Sequence, residues 1–333
     1  MSALVHDFPF DPAYGFTLPE LLDVAPPPAP DDFDAFWRDR WDAAARVTPE
    51  PWVGPLVEER TDGRVYEVSY ASASGRCGGW LVLPPEGEPV RHGFVIGHGY
   101  GGRDGVGDAL PLPLPGSAAL LPCVTGMPVR GLRAEVPSSA ERHVLHGIGD
   151  RDSYVIGECV ADLWGAASAL TELAPGLAGR GRLGYLGESF GGGLGALALP
   201  WDERFGAAAL TVPTFGHHPL RVTLPCVGSG EAVRGVLRAG SGDVAARVMG
   251  VLGYFDAAVA AGRVGVPVLC APALFDPAVP PPGQFAVFNG LGGERELFVL
   301  SAGHFGFAGE AEERGRLAGV VEAFFGRWLG ARG

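Results

Sequence analysis

The hydrophobic pattern of the chain changes twice. Over residues 1 to about 55 it is interrupted by prolines, Pro26, Pro27, Pro28 and Pro30 among them. One stretch there is periodic: Phe33, Phe36, Trp37 and Trp41 recur at helical spacing behind Asp31 and Asp32, acids that suit an N-cap and a first turn. This predicts an irregular N-terminal arm with one helix that docks on the core through its aromatic stripe. From Leu56 to Leu83 the period falls to two. Val65, Glu67 and Ser69 alternate with Tyr66, Val68 and Tyr70, and Gly63 and Gly75 supply turn points, which predicts antiparallel strands at a sheet edge.

Beyond Pro89, short continuously apolar runs alternate with amphipathic stretches, the pattern of βαβ units around a buried parallel sheet. Strands are expected over 93–97, 118–129, 182–186, 206–212, 267–273 and 296–300. Val155, Cys159, Leu163, Ala166, Leu170 and Leu173 mark one long helix packed on the sheet, and two more are expected over 245–261 and 310–329. The weakly periodic segment 213–242, rich in Gly, Pro and Arg, reads as a short lid between two core strands. The predicted fold is α/β, a mostly parallel sheet with helices on both faces, built over 56–333 and preceded by the arm. No internal repeat is visible.

Composition narrows the functional classes. The 333 residues carry 25 basic and 38 acidic side chains, a net charge of −13, and 47 % of the chain is hydrophobic, enough for a sizeable core. Every basic residue is Arg, and no clustered basic face stands out, which argues against a nucleic-acid partner. No run of 18 uninterrupted apolar residues suggests a membrane partner, and the first fifteen residues lack the basic and apolar regions of a signal peptide. A cytoplasmic location is therefore expected. The five cysteines are scattered singly, as suits reduced, buried thiols and neither a zinc site nor a disulfide framework.

The strongest chemical signal is Gly187-Glu188-Ser189-Phe190-Gly191, extended by Gly192 and Gly193, between an apolar strand and an Ala/Leu-rich helix. That is the strand–turn–helix setting of a nucleophile elbow, in which a strained turn projects the serine hydroxyl and the glycines let strand and helix approach. An acid and a histidine should follow, each just after a core strand. Asp276 follows the run 267–275 and precedes Pro277, Pro280, Pro281 and Pro282, and His304 stands in the loop after the last strand. Asp256 is the main rival for the acid, but it falls inside a helical pattern. Of the eight histidines, His92, His98, His143 and His146 precede Ser189, His217 and His218 fall in the supposed lid, and only His304 stands after the elbow in a post-strand loop. The adjacent pair His217-His218 could be read as a metal site, yet no carboxylate or thiol stands at ligand spacing, so neither metal nor cofactor is expected. Oxyanion donors are expected from the backbone N–H of Phe190, after the nucleophile, and of Tyr100 in the loop His98-Gly99-Tyr100-Gly101-Gly102. Tyr100 and Pro213 are also the expected substrate-binding residues.

These motifs occur in an order that resembles a known family. The arm from Asp31 to Trp37, the His98-Gly99-Tyr100 loop, Arg130-Gly131, the helix from Tyr154 through Asp162, the elbow, Trp201 to Phe205, Val212-Pro213, Tyr254-Phe255-Asp256, and Phe275-Asp276 with Pro281-Pro282 together look like the acetyl xylan esterase / cephalosporin C deacetylase family of α/β-hydrolases. The resemblance spans nearly the whole chain. It implies a serine esterase that deacetylates small substrates, acetylated xylo-oligosaccharides and cephalosporin-type esters, and a homo-oligomer, often a hexamer with its sites facing an internal cavity. Two positions depart from the family pattern: Phe190 and Leu132 stand where it has Gln.

Three other readings fit parts of the sequence. The elbow also occurs in peptidases of the prolyl-oligopeptidase type, although this chain is too short for their propeller. A non-catalytic hydrolase-fold binding protein would normally have lost a triad member. A lipase calls for a broad apolar lid, and 213–242 holds few large hydrophobes.

Overall fold

The structure, a computed structural model, describes residues 4–107 and 109–330. Two helices come first, α1 (Leu18–Leu22) and α2 (Phe33–Ala45), and then three strands, β1 (Trp52–Arg60), β2 (Gly63–Ser72) and β3 (Gly75–Leu83). After β4 (His92–Gly97) and β5 (Ser117–Cys123) come α3 (Ala140–His143), the long α4 (Val155–Leu173), β6 (Leu183–Glu188), α5 (Phe190–Ala198) and β7 (Phe205–Thr211). The last third holds α6 (His218–Arg221), α7 (Ser229–Ala239), α8 (Gly242–Tyr254), α9 (Ala257–Ala261), β8 (Val268–Ala271), α10 (Pro281–Gly290), β9 (Arg295–Leu297) and α11 (Glu310–Trp328).

The nine strands form one sheet in the order β1-β2-β3-β5-β4-β6-β7-β8-β9. The pairs from β1 to β5 are antiparallel and those from β5 to β9 parallel, as the change of period at Pro89 predicts. In β4 the alternation survives even though both faces are buried: Phe94 and Ile96 join the apolar layer beneath α11, while Val95 joins the larger layer beneath α4 and α5. Phe94 meets Phe325 of α11 edge-on, with ring centroids 5.0 Å apart. The aromatic stripe of α2 is a docking face. Trp37 is fully buried against Trp164 of α4, and its indole N–H donates to the Tyr254 carbonyl at 2.8 Å.

Several boundaries differ from the sequence reading, each for a local reason. The arm contains two helices, and β1 starts at Trp52, ahead of the expected boundary near 55. Strand β5 stops at Cys123 and does not run to 129, because the Thr125 N–H goes to the buried Asp162 carboxylate at 2.7 Å and Gly126 turns the chain at φ 80°. Asp162 also takes hydroxyl protons from Ser72 and Thr125 at 2.6 and 2.8 Å, so its buried charge is balanced by a full set of donors. The helix expected over 245–261 is split. Asp256 caps α9 by accepting the Ala258 N–H at 3.0 Å, so α8 ends before it. Segment 213–242 does lie between β7 and β8, but it is folded into α6 and α7.

Candidate active site

The turn between β6 and α5 explains the residue types at the elbow. Ser189 is the N-cap of α5 with φ 55° and ψ −113°, a conformation that L-residues adopt only where surrounding structure enforces it. Enforcement comes from both sides, since the Ser189 N–H donates to Thr211 O at 2.9 Å and its carbonyl accepts from Thr214 N at 3.1 Å. A Cβ at Gly187 would lie 2.4 Å from the Gly191 carbonyl oxygen, and one at Gly191 would lie 2.8 Å from the Gly97 carbonyl carbon. Both obstacles are backbone, so neither position can take a side chain without moving the turn.

Three sequence-distant side chains meet at this turn. Ser189 Oγ lies 2.8 Å from His304 Nε2, and His304 Nδ1 lies 2.8 Å from Asp276 Oδ2. Asp276 is fully buried, and its other oxygen accepts the Ala278 and Val279 N–H groups, each at 2.9 Å. Gln284 on α10, which the sequence reading did not single out, completes this shell. Its amide N–H donates to Asp276 Oδ2 at 2.9 Å and to Val279 O at 2.6 Å, and its carbonyl accepts from Ala273 N at 2.8 Å. The available signal was an amide in the largely apolar first turns of a helix, eight residues beyond the acid. Burial pulls the His304 imidazolium pKa down, but the hydrogen bond and charge of Asp276 outweigh it, with Glu188 adding, and the net shift is upward.

The two residues expected to supply the oxyanion donors are packed together through their rings. The Tyr100 ring stacks on the fully buried Phe190 ring at 4.0 Å, and among the described residues no acceptor takes the backbone N–H of either. A cavity of about 1330 Å³ opens over Ser189 and His304, with Tyr100, Thr214, Leu112 and Leu317 among its walls. Pro213 is not in that lining: it is buried against Gly192, whose Cβ position lies 3.0 Å from the Pro213 Cα. Leu132 is exposed on the surface, away from the cavity.

Asp256 does not compete for His304. Its carboxylate is buried on the amides of His217, His218, Ala258 and Val259, and burial pushes its pKa up to about 6. His218 is itself buried and pushed down to about 3, again by loss of solvent, as suits a structural imidazole. The five cysteines are free and buried.

A twisted, mostly parallel sheet covered on both faces, with a strained serine turn after a central strand, defines an α/β-hydrolase. The sequence pattern of the acetyl xylan esterase (AXE1) family matches residues 17–311, and the chain belongs to that family, a family of carboxylic ester hydrolases. The acetyl xylan esterase from Paenibacillus sp. R4 superposes with a TM-score of 0.79 at 27 % identity, over 92 % of this chain and 99 % of that one. Acetyl xylan esterase 1 from Thermoanaerobacterium sp. JW/SL YS485 gives 0.75 at 20 % identity, over 94 % and 99 %. The acylaminoacyl peptidase of Pyrococcus horikoshii shares the fold at 0.56 and 18 % identity, but this chain covers only 41 % of its length.

Proposed function

We propose that this protein is a serine esterase that removes acetyl or other short acyl groups from small substrates through an acyl-enzyme. The observation that carries the reading is the unbroken hydrogen-bond line from Asp276 through His304 to Ser189, at 2.8 Å in each step, on the floor of an open cavity. In this reading His304 Nε2 takes the Ser189 proton as Oγ attacks the ester carbonyl carbon, and the imidazolium formed is held by Asp276. The unpaired N–H groups of Tyr100 and Phe190 take up the oxyanion. Collapse expels the alcohol, which leaves with the proton from His304. Water, deprotonated by the same nitrogen, then adds to the acyl carbon and frees the carboxylic acid and Ser189.

Acetylated xylo-oligosaccharides are the proposed substrate class, supported by the acetyl xylan esterase family and by the Paenibacillus sp. R4 neighbour; cephalosporin-type esters are proposed beside them on the sequence resemblance. No cofactor takes part in the proposed chemistry. The reading extends to a cytoplasmic homo-oligomer, a hexamer being the form the resemblance implies, with neither nucleic acid nor membrane as partner. Light scattering on the purified protein tests the assembly. The direct test of the activity is turnover of acetyl esters beside the matching acetanilides. Faster cleavage of the amide would favour the peptidase reading.

A further inference from the structure

The family pattern matches residues 17–311, and the described residues 4–16 lie ahead of that stretch. They are tied to the two loops that carry the acid and the histidine. The Pro12 carbonyl accepts the backbone N–H of Asp276 at 3.0 Å. The Phe8 ring packs against Phe305, the residue after His304, with centroids 6.1 Å apart, and the His6 ring packs on Phe275, the residue before Asp276, at 5.3 Å. Phe275 and Phe305 in turn meet at 5.0 Å, and the Gly303 N–H donates to the Phe275 carbonyl at 2.8 Å. At the far end of the segment the Tyr14 hydroxyl donates to Pro225 O at 2.6 Å.

Apart from the Tyr14 bond to Pro225, these contacts fall on Asp276 itself and on the immediate chain neighbours of Asp276 and His304. None of residues 4–16 is among the residues lining the cavity. His304 is held at φ 47°, which its own backbone does not favour, and both of its ring nitrogens must stay aligned at once. Misplacement of a reacting group by about 1 Å can cost roughly 100-fold in rate.

We infer that residues 4–14 are a positioning strap, in which Phe8 and Pro12 act through the Phe275 and Phe305 loops to hold Asp276 and His304 in line with Ser189. The inference rests on the proposed roles of those three residues, so its test needs one readout besides turnover. We would compare the full chain with Phe8→Ala, Phe8→Tyr and a chain lacking residues 1–12. The readouts are p-nitrophenyl acetate kinetics, thermal unfolding, and the far-downfield proton resonance of the His304 Nδ1–H. The strap predicts that kcat falls roughly 10- to 100-fold in Phe8→Ala and in the shortened chain, with KM unchanged. The downfield resonance should broaden or vanish in both, and Phe8→Tyr, which keeps the ring, should restore rate and resonance together.

Folded variants with the kcat and resonance of the full chain would overturn the strap. So would a loss of rate that only tracks the folded fraction. If the shortened chain does not fold, Phe8→Ala alone decides. A full chain with no esterase activity but an intact resonance that the variants lose would refute the proposed activity and leave the strap standing.

Discussion

The ring of Phe190 lies flat on the ring of Tyr100, centroids 4.0 Å apart and planes 16° apart. One stack therefore ties together the side chains of the two residues proposed to supply oxyanion donors, one in the elbow and one in the loop after β4. His143 and Phe215 close on the Phe190 ring edge-first at 5.9 Å each, so the ring sits in an aromatic box. Removing it with Phe190→Ala should cost roughly 3–5 kcal/mol of stability. It should also lower kcat, since both donors lose their common support. Guanidinium unfolding and p-nitrophenyl acetate turnover at a temperature where the variant is folded separate the two effects.

The raised pKa of His304 gives activity a defined pH dependence. Neutral imidazole is the base, so kcat/KM should rise with pH through a midpoint above the ordinary histidine value of about 6.5. Asp276→Asn removes the group that raises it and leaves burial in place, so the midpoint should fall below that value and kcat should drop by roughly 10⁴. Stability has the opposite sign. The folded state favours the protonated ring, so the contribution of His304 is complete below about pH 6.5 and is lost as the pH rises through the raised value. Rate profiles and pH-dependent unfolding of the two proteins check both signs.

Glu188, the residue before the nucleophile, forms a two-pronged ion pair with Arg314 of α11 at the cavity wall, 2.9 Å in both contacts. Both side chains are more than a third exposed, so the pair should contribute no more than about 1 kcal/mol. Its charges still act on His304, Glu188 raising its pKa and Arg314 lowering it. Glu188→Gln should therefore shift the acid limb of the rate profile downward and Arg314→Ala should shift it upward, each by a small amount that shrinks as salt is added. Movement of both in one direction would contradict this account.

Gln284 makes a sharper prediction for the acid. Gln284→Ala strips a donor from Asp276 and leaves the buried Ala273 N–H and Val279 carbonyl unpaired, at about 1–3 kcal/mol for each orphaned group. Thermal unfolding should show a loss of that order. Because Asp276 keeps its Ala278 and Val279 donors, activity should fall less than in Asp276→Asn.

How much of this was legible in the sequence depends on what kind of information each feature carries. The change from antiparallel to parallel pairing was visible because a half-buried strand must alternate and a doubly buried one need not. The serine turn was visible because only a few residue types fit it, and His304 was placed by chain order together with its position in the loop after the last strand. Gln284 was not, since nothing local distinguishes a buried amide that holds a carboxylate from any other polar residue in a helix. The end of β5 was missed because it is set by a tertiary hydrogen bond to Asp162, and the end of α8 because Asp256, read as part of a continuous helical pattern, is instead the local N-cap that accepts the Ala258 N–H. Pro213 occupied a plausible chain position for a substrate contact, yet three-dimensional packing puts it behind Gly192.

The central claim is that Ser189 is the nucleophile of a short-chain esterase. Its most direct test is hydrolysis of p-nitrophenyl acetate, butyrate and octanoate by the wild type and Ser189→Ala side by side. The account predicts turnover that falls with acyl length and drops by roughly 10⁶ in the variant, with the folded structure retained. A folded Ser189→Ala protein that keeps more than about a tenth of the wild-type rate would contradict it, because members of one catalytic unit fail together.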